Sequence, residues 1–258
     1  MQVVILAGGY GTRISEQSQL RPKPMIEIGG RPILWHIMKM YSFYGFNDFI
    51  ICCGYKGHII KDYFQNYMLT NADFKINLQS GITTLLKSPK EDWNVSLVDT
   101  GIDTMTGGRI KRIEGYLDGE NFHMTYGDGL SDINLHDLVK HHKNKQVQAS
   151  VTAIKVPGPG RFGVLDINDK NMVETFNEKP IEAGGRINGG FFILNKSVLD
   201  LIDSDKTVWE QEPLSQLASS GELSAFKYDG FWHPMDSLRD KNYLEELWES
   251  NKAPWKTW

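Results

Sequence analysis

Three glycines in four positions, Gly8, Gly9 and Gly11, follow the apolar run Val3-Val4-Ile5-Leu6, and two cations, Arg13 and Lys23, follow the glycines. Residues without a Cβ let backbone N–H groups close around a large anion. Arg13 and Lys23, the latter inside Arg21-Pro22-Lys23-Pro24-Met25, bring positive charge to the same place. A buried strand, a glycine turn and converging cations predict a site for a nucleoside triphosphate, formed by Leu6, Ala7, Gly8, Gly9, Gly11, Thr12 and Arg13. A second cluster, Thr125-Tyr126-Gly127-Asp128-Gly129, puts a carboxylate between glycines at a strand end, where it can approach a hydrated cation closely. Asp236 follows the apolar-aromatic stretch Phe231-Trp232-His233-Pro234-Met235. Mg²⁺ takes oxygen donors, commonly one or two carboxylates completed by phosphates and water. Either aspartate alone is more often a turn or capping residue than a ligand.

Common phosphate loops do not fit. There is no Gly-x-x-x-x-Gly-Lys-Ser/Thr, which argues against a P-loop ATPase. The dinucleotide pattern fails because Ile14, not glycine, follows Arg13. The segment Leu6-Ala7-Gly8-Gly9-Tyr10-Gly11-Thr12-Arg13, with Pro22-Lys23-Pro24 beyond it, resembles the signature of the sugar-1-phosphate nucleotidyltransferases. That resemblance implies a sugar-phosphate oxygen attacking the α-phosphorus of a nucleoside triphosphate in line and expelling pyrophosphate. It assigns Arg13 to the β- and γ-phosphates and Lys23 to the α-phosphate as the catalytic pair, with Mg²⁺ held by Asp128 and Asp236. Asp128 also belongs to the implied nucleotide site. The Glu178-Lys179-Pro180 block supplies a carboxylate to sugar hydroxyls and a lysine to the sugar phosphate, and Gly163 and Asn188 contact further hydroxyls. The match runs nearly end to end; the departures are Arg21, where a lysine often stands, and Tyr10, at a variable loop position.

The stretch Asp99-Thr100-Gly101-Ile102-Asp103-Thr104-Met105-Thr106-Gly107-Gly108-Arg109 concerns the base. Cytosine presents O2 and N3 as adjacent acceptors, whereas uracil and thymine carry N3–H. A guanidinium can donate to the first pair and not to the second. Thr104 and Arg109 are therefore expected to select CTP, and Thr-Gly-Gly-Arg is similar to the cytidylyltransferase group of the family, which implies glucose 1-phosphate as acceptor. A plain helix start with a solvated Arg109 is the competing reading. UTP or dTTP as donor, a regulatory homologue that binds sugar nucleotides without turning them over, and a glycosyltransferase remain alternatives.

Composition sets the frame. The 258 residues are 40% hydrophobic and 23% charged, ordinary for a soluble globular chain able to bury a large core. A net charge of −4 gives no basic field for nucleic acid. No apolar run reaches membrane-spanning length, and no basic region precedes the first apolar stretch. The two cysteines, Cys52 and Cys53, are adjacent, a poor geometry for a disulfide, and fit a reducing compartment. The expectation is a cytoplasmic enzyme with no membrane partner. The seven histidines show no zinc-ligand spacing.

Strands are expected at 3–6, 48–53, 94–98 and 122–126, with helices at 32–44 and 57–68 between them. This βαβ order predicts an α/β, Rossmann-like single domain: a mainly parallel central mixed sheet flanked by helices, with ligands beyond the strand C-termini. Further strands at 149–155, 163–167, 172–176 and 187–194 predict a smaller β-rich, sugar-binding part. Helices are expected near 214–218 and at 238–248. Residues 1–130 read as mainly nucleotide-binding, 145–236 as mainly sugar-binding, and 237–258 as a closing helix and aromatic tail. Residues 69–92 read as an insertion of strands or loop reaching a neighbouring subunit. The resemblance implies a homo-oligomer, a hexamer, serving dideoxyhexose supply for bacterial surface polysaccharide.

Overall fold

The fully buried run Val3–Leu6 forms β1, flanked on both sides by parallel neighbours, as continuous apolar strands in covered sheets require. The computed structural model describes residues 1–11, 14, 20–155, 164–177 and 185–258. Strands β2 (Asp48–Cys53), β3 (Asn94–Asp99) and β4 (Asn121–Tyr126) complete the parallel half, in the order β4-β1-β2-β3. Helices α1 (Ile33–Phe43) and α2 (Gly57–Gln65) make the crossovers. The expected helix at 57–68 is interrupted at Asn66, and a short helical turn, Tyr67–Asn71, follows.

The second half adds β5 (Ala149–Lys155), β6 (Val164–Ile167), β7 (Val173–Asn177), β8 (Arg186–Asn195) and β9 (Leu223–Tyr228) to the same nine-stranded sheet. Strand β8 is its hinge, antiparallel to β4, β5 and β6. The sheet is thus parallel where the nucleotide loops leave it and mixed beyond. Core residues cover both faces, one cluster centred on Val4, Met124, Phe192 and Trp209, the other on Val3, Ile5, Ile37 and Trp255.

Helix α3 (Thr106–Arg112) has the helix start of the competing reading, but with Arg109 buried, whereas helix α4 (Leu135–Lys145) and strand β9 were not expected. In α4 only Leu135, Leu138 and His142 are buried, and the apolar signal is thin. Its start is fixed by the Asn134 side chain, which accepts from the N–H groups of His136 and Asp137. Helices α5 (Glu212–Ser219) and α6 (Leu238–Glu249) extend the two expected near the C-terminus by a residue or two.

Residues 69–92 contain an antiparallel hairpin, Asp73–Ile76 with Thr83–Lys87, outside the main sheet. Both faces lie in solvent, including Phe74, Ile76, Ile82, Leu85 and Leu86, and Leu78 at the tip is 88% exposed. At the other extreme, the tail residue Trp255 is completely buried. Its indole N–H reaches Nδ1 of His36 at 3.4 Å, and His36 Nε2 lies 2.8 Å from the Ile28 carbonyl. That pairing makes Nε2 the protonated nitrogen, and burial lowers the His36 pKa to about 4. Cys52 and Cys53 are both buried and unpaired; burial raises the Cys53 thiol to about 11 and the Cys52 thiol further. Neither is a reactive thiolate.

Candidate active site

A cleft of about 630 Å³ opens beyond the C-terminal ends of β1 and β4. One wall is the glycine turn, Leu6 to Gly11; the other is Ile102 to Thr106 with Arg109 and Lys206. Lys23, Asp128 and Asp236 lie at its floor. Tyr10 spans the mouth, donating from its hydroxyl to Asp103 Oδ1 at 2.7 Å.

Three distant parts of the chain meet at Lys23. Its Nζ lies 2.6 Å from Asp128 Oδ2 and 2.7 Å from Asp236 Oδ1. Burial alone would lower the ammonium pKa, but the charges and hydrogen bonds of the two aspartates outweigh it and raise it. Each partner is held locally. Lys23 starts a 3₁₀ turn between Pro22 and Pro24, and Pro24 packs against Gly127, where a Cβ would lie 2.9 Å from its ring. The two acids flank a small ribbon in which Gly129–Ser131 pairs with Trp232–Pro234, and Met235 N–H donates to the Asp128 carbonyl at 2.8 Å. Asp236 precedes α6, whose Ser237–Asp240 capping box also binds the Asp236 N–H through Asp240 Oδ2. The cap that starts the helix therefore sets the position of the acid.

Two carboxylates converging on one positive nitrogen form a hard-oxygen donor set suited to a divalent cation. Among the described residues no group of three or more His, Cys, Asp or Glu gathers for a metal.

Arg109 reaches the cleft wall as expected, but its donors do not point into the cleft. It is 4% exposed, with Nη1 donating to Thr100 Oγ1 (2.8 Å) and the Gly101 carbonyl (2.7 Å), and Nη2 to the carbonyls of Gly8 (3.0 Å) and Ile102 (3.1 Å). Burial lowers its pKa. The guanidinium lies between Gly8 and Gly54, at each of which a Cβ would come within 2.4 Å of it. The fork expected to serve O2 and N3 of a base is engaged by carbonyls in this structure, where Arg109 clasps the glycine turn to the opposite wall. Gly8 is glycine because it packs on this guanidinium; Gly9 has open space, and Gly11 has φ +63°.

Thr104 is buried in the same wall. The two glycines of Thr-Gly-Gly-Arg have a packing reason too, since Cβ atoms there would strike the backbone at Thr207 and Asp205. Carbonyls of these residues accept the N–H groups of Met105, Gly107 and Gly108 at the start of α3.

Sequence reasoning missed a carboxylate. Glu210 accepts from Thr106 Oγ1 at 2.6 Å and from the buried Tyr126 hydroxyl, whose pKa burial and the Glu210 charge raise far above its ordinary value. Asn188 Nδ2 lies 3.4 Å from that hydroxyl, and Asn188 Oδ1 accepts from Gly190 N–H. The signal is the segment Thr207-Val208-Trp209-Glu210, whose Trp209 is a fully buried core residue. Thr12, Arg13, Gly163, Glu178 and Lys179 lie outside the described residues.

A family model described as nucleotidyl transferase matches residues 2–233, spanning the glycine turn, Lys23 and Asp128. The chain belongs to the nucleotidyl transferase family. Within that family it is 57% identical, over 259 residues and 100% of both chains, to a glucose-1-phosphate cytidylyltransferase of Salmonella typhimurium. It is 30% identical to a mannose-1-phosphate guanyltransferase of Debaryomyces hansenii, over 95% of this chain and 63% of that one. The solved structure of HddC from Yersinia pseudotuberculosis superimposes with a TM-score of 0.76 over 96% of this chain and 99% of its own. At 24% identity it shows the nucleotidyltransferase fold alone.

Proposed function

We propose that the chain transfers a cytidylyl group from CTP to α-D-glucose 1-phosphate, releasing pyrophosphate and giving CDP-glucose. The full-length 57% identity to a protein of that name carries the choice of substrates. The convergence of Lys23, Asp128 and Asp236 under the glycine turn supports the chemistry. The sugar-phosphate oxygen forms a bond to the α-phosphorus as the bond from that phosphorus to the bridging oxygen breaks. Alignment and charge neutralisation lower such a barrier, and no covalent intermediate with the protein is needed.

In this reading the turn from Leu6 to Thr12 binds the triphosphate through backbone N–H groups. Arg13 holds the β- and γ-phosphates and offsets charge on the leaving group. Lys23 neutralises the α-phosphate as negative charge grows there. Asp128 and Asp236 would hold the divalent cation, Mg²⁺, which when bound shields the triphosphate oxygens. Thr104 and Arg109 line the wall that takes the base, and Arg109 turns part of its fork from its carbonyl set into the cleft when O2 of cytosine arrives. Gly163, Glu178, Lys179 and Asn188 take the sugar phosphate, so residues 1–130 serve the nucleotide and 145–236 mainly the sugar.

Pyrophosphate release from each of four nucleoside triphosphates with several hexose 1-phosphates tests the reading. CTP with glucose 1-phosphate should exceed UTP by about 10²-fold in kcat/KM, because UTP leaves a buried donor unmatched. Equal use of UTP removes Thr104 and Arg109 as selectors. Silence with every pair makes the chain a binding homologue.

The chain works as a homo-oligomer, a hexamer, in a reducing compartment such as the cytoplasm. An isolated two-stranded ribbon is marginal in water, and the Asp73–Lys87 hairpin leaves six large apolar side chains uncovered. A second copy covers them. Leu78→Lys combined with Leu86→Lys should lower the mass seen by sedimentation velocity. An unchanged mass would mean assembly through another surface.

A further inference from the structure

We propose that Lys23 is a built-in occupant of the cation site: its ammonium bridges Asp128 and Asp236 until a triphosphate draws it away, so the divalent cation loads together with the nucleotide. The proposal rests on reading the two aspartates as the cation's ligands.

A single nitrogen lies within 2.7 Å of one oxygen from each carboxylate, so Lys23 stands where both acids point. A divalent cation bound to the same two oxygens would meet the ammonium at very short range, and like charges that close exclude each other. The lysine also neutralises one of the two negative charges that would attract such a cation. With two carboxylates gathered among the described residues, a cation there would draw oxygens from elsewhere to complete its coordination shell.

The anchoring fits a swinging arm. The backbone of Lys23 is fixed by prolines on both sides, by the Met25 N–H bond to the Pro22 carbonyl at 2.8 Å, and by Pro24 packed on Gly127. The flexible four-carbon stem carries the charge, and the same residue borders the open cleft. A triphosphate entering along the glycine turn offers the ammonium new anionic oxygens and offers the cation the ligands it lacks. One swing satisfies both.

Mn²⁺ binding to the nucleotide-free full chain, followed by electron paramagnetic resonance, tests this without any turnover. Lys23→Met and Lys23→Gln should each bind Mn²⁺ about tenfold more tightly than the unmodified chain, because they remove the competing charge from the acids. Adding CTP should tighten Mn²⁺ binding strongly in the unmodified chain and much less in these variants. Lys206→Met is the control, since Lys206 borders the same cleft and carries the same charge. An equal gain in Lys206→Met, or none in the Lys23 variants, overturns the proposal. If Asp236→Asn added to Lys23→Met leaves Mn²⁺ affinity unchanged, the reading of the acids as ligands fails as well.

Discussion

Lys23→Ala should lower kcat for CDP-glucose formation by about 10²-fold, about 3 kcal/mol, with the KM for CTP changing less. The split follows from where the charge acts. In the function proposed, Arg13 and the glycine turn would bind the triphosphate whether or not the reaction proceeds, whereas the α-phosphorus gains charge only as the new bond forms. Lys23 borders the cleft and pairs with both acids there, so its removal takes away the positive charge that bridges Asp128 and Asp236. The effect extends to the resting protein, in which two carboxylates would converge with no ammonium between them. Steady-state pyrophosphate release gives the rate, and near-normal turnover would contradict the role assigned to Lys23.

The second large effect falls on stability. Arg109→Leu removes a buried guanidinium and leaves the carbonyls of Gly101 and Ile102 without that donor; the Gly8 carbonyl retains only the Tyr55 N–H at 3.1 Å. Hydrogen bonds from a charged donor contribute about 1.5–3 kcal/mol each, less where the acceptor is partly exposed as at Gly101 and Ile102, and a loss of about 3 kcal/mol should lower Tm by about 10 °C. Arg109→Lys should recover little of this, because an ammonium cannot bridge both walls as a planar fork does. Calorimetry of both variants checks the expectation. A Tm within a degree or two of the unmodified chain would mean that the walls are held together by something else.

The βαβ half of the fold and the three charged groups at the cleft floor were legible because each was written locally. An apolar run dictates β1, a glycine turn must follow it, and Pro-Lys-Pro and Gly-Asp-Gly are short and distinctive. What could not be read was direction. Arg109 was placed in the right wall, but the path of its side chain depends on Gly8 and Gly54 leaving a slot from opposite sides, a fact of tertiary packing. Glu210 was passed over because its partners, Thr106 and Tyr126, are about a hundred residues away. Helix α4 presents only three buried residues and carries little pattern. The hairpin differs: Phe74, Ile76 and Leu78 alternate with polar residues ahead of Ser80-Gly81, a strand-and-turn signal that was present and underweighted.

The union of Trp255 with His36 has a consequence for biosynthesis. Trp255 completes the packing around a helix that leaves the ribosome 219 positions earlier. Asp236, needed to face Lys23, also emerges late. The nascent polypeptide can lay down its parallel strands as they emerge, but the contact between Lys23 and Asp236 forms only after residue 236 has been made, so synthesis halted before that point leaves the cleft without this acid.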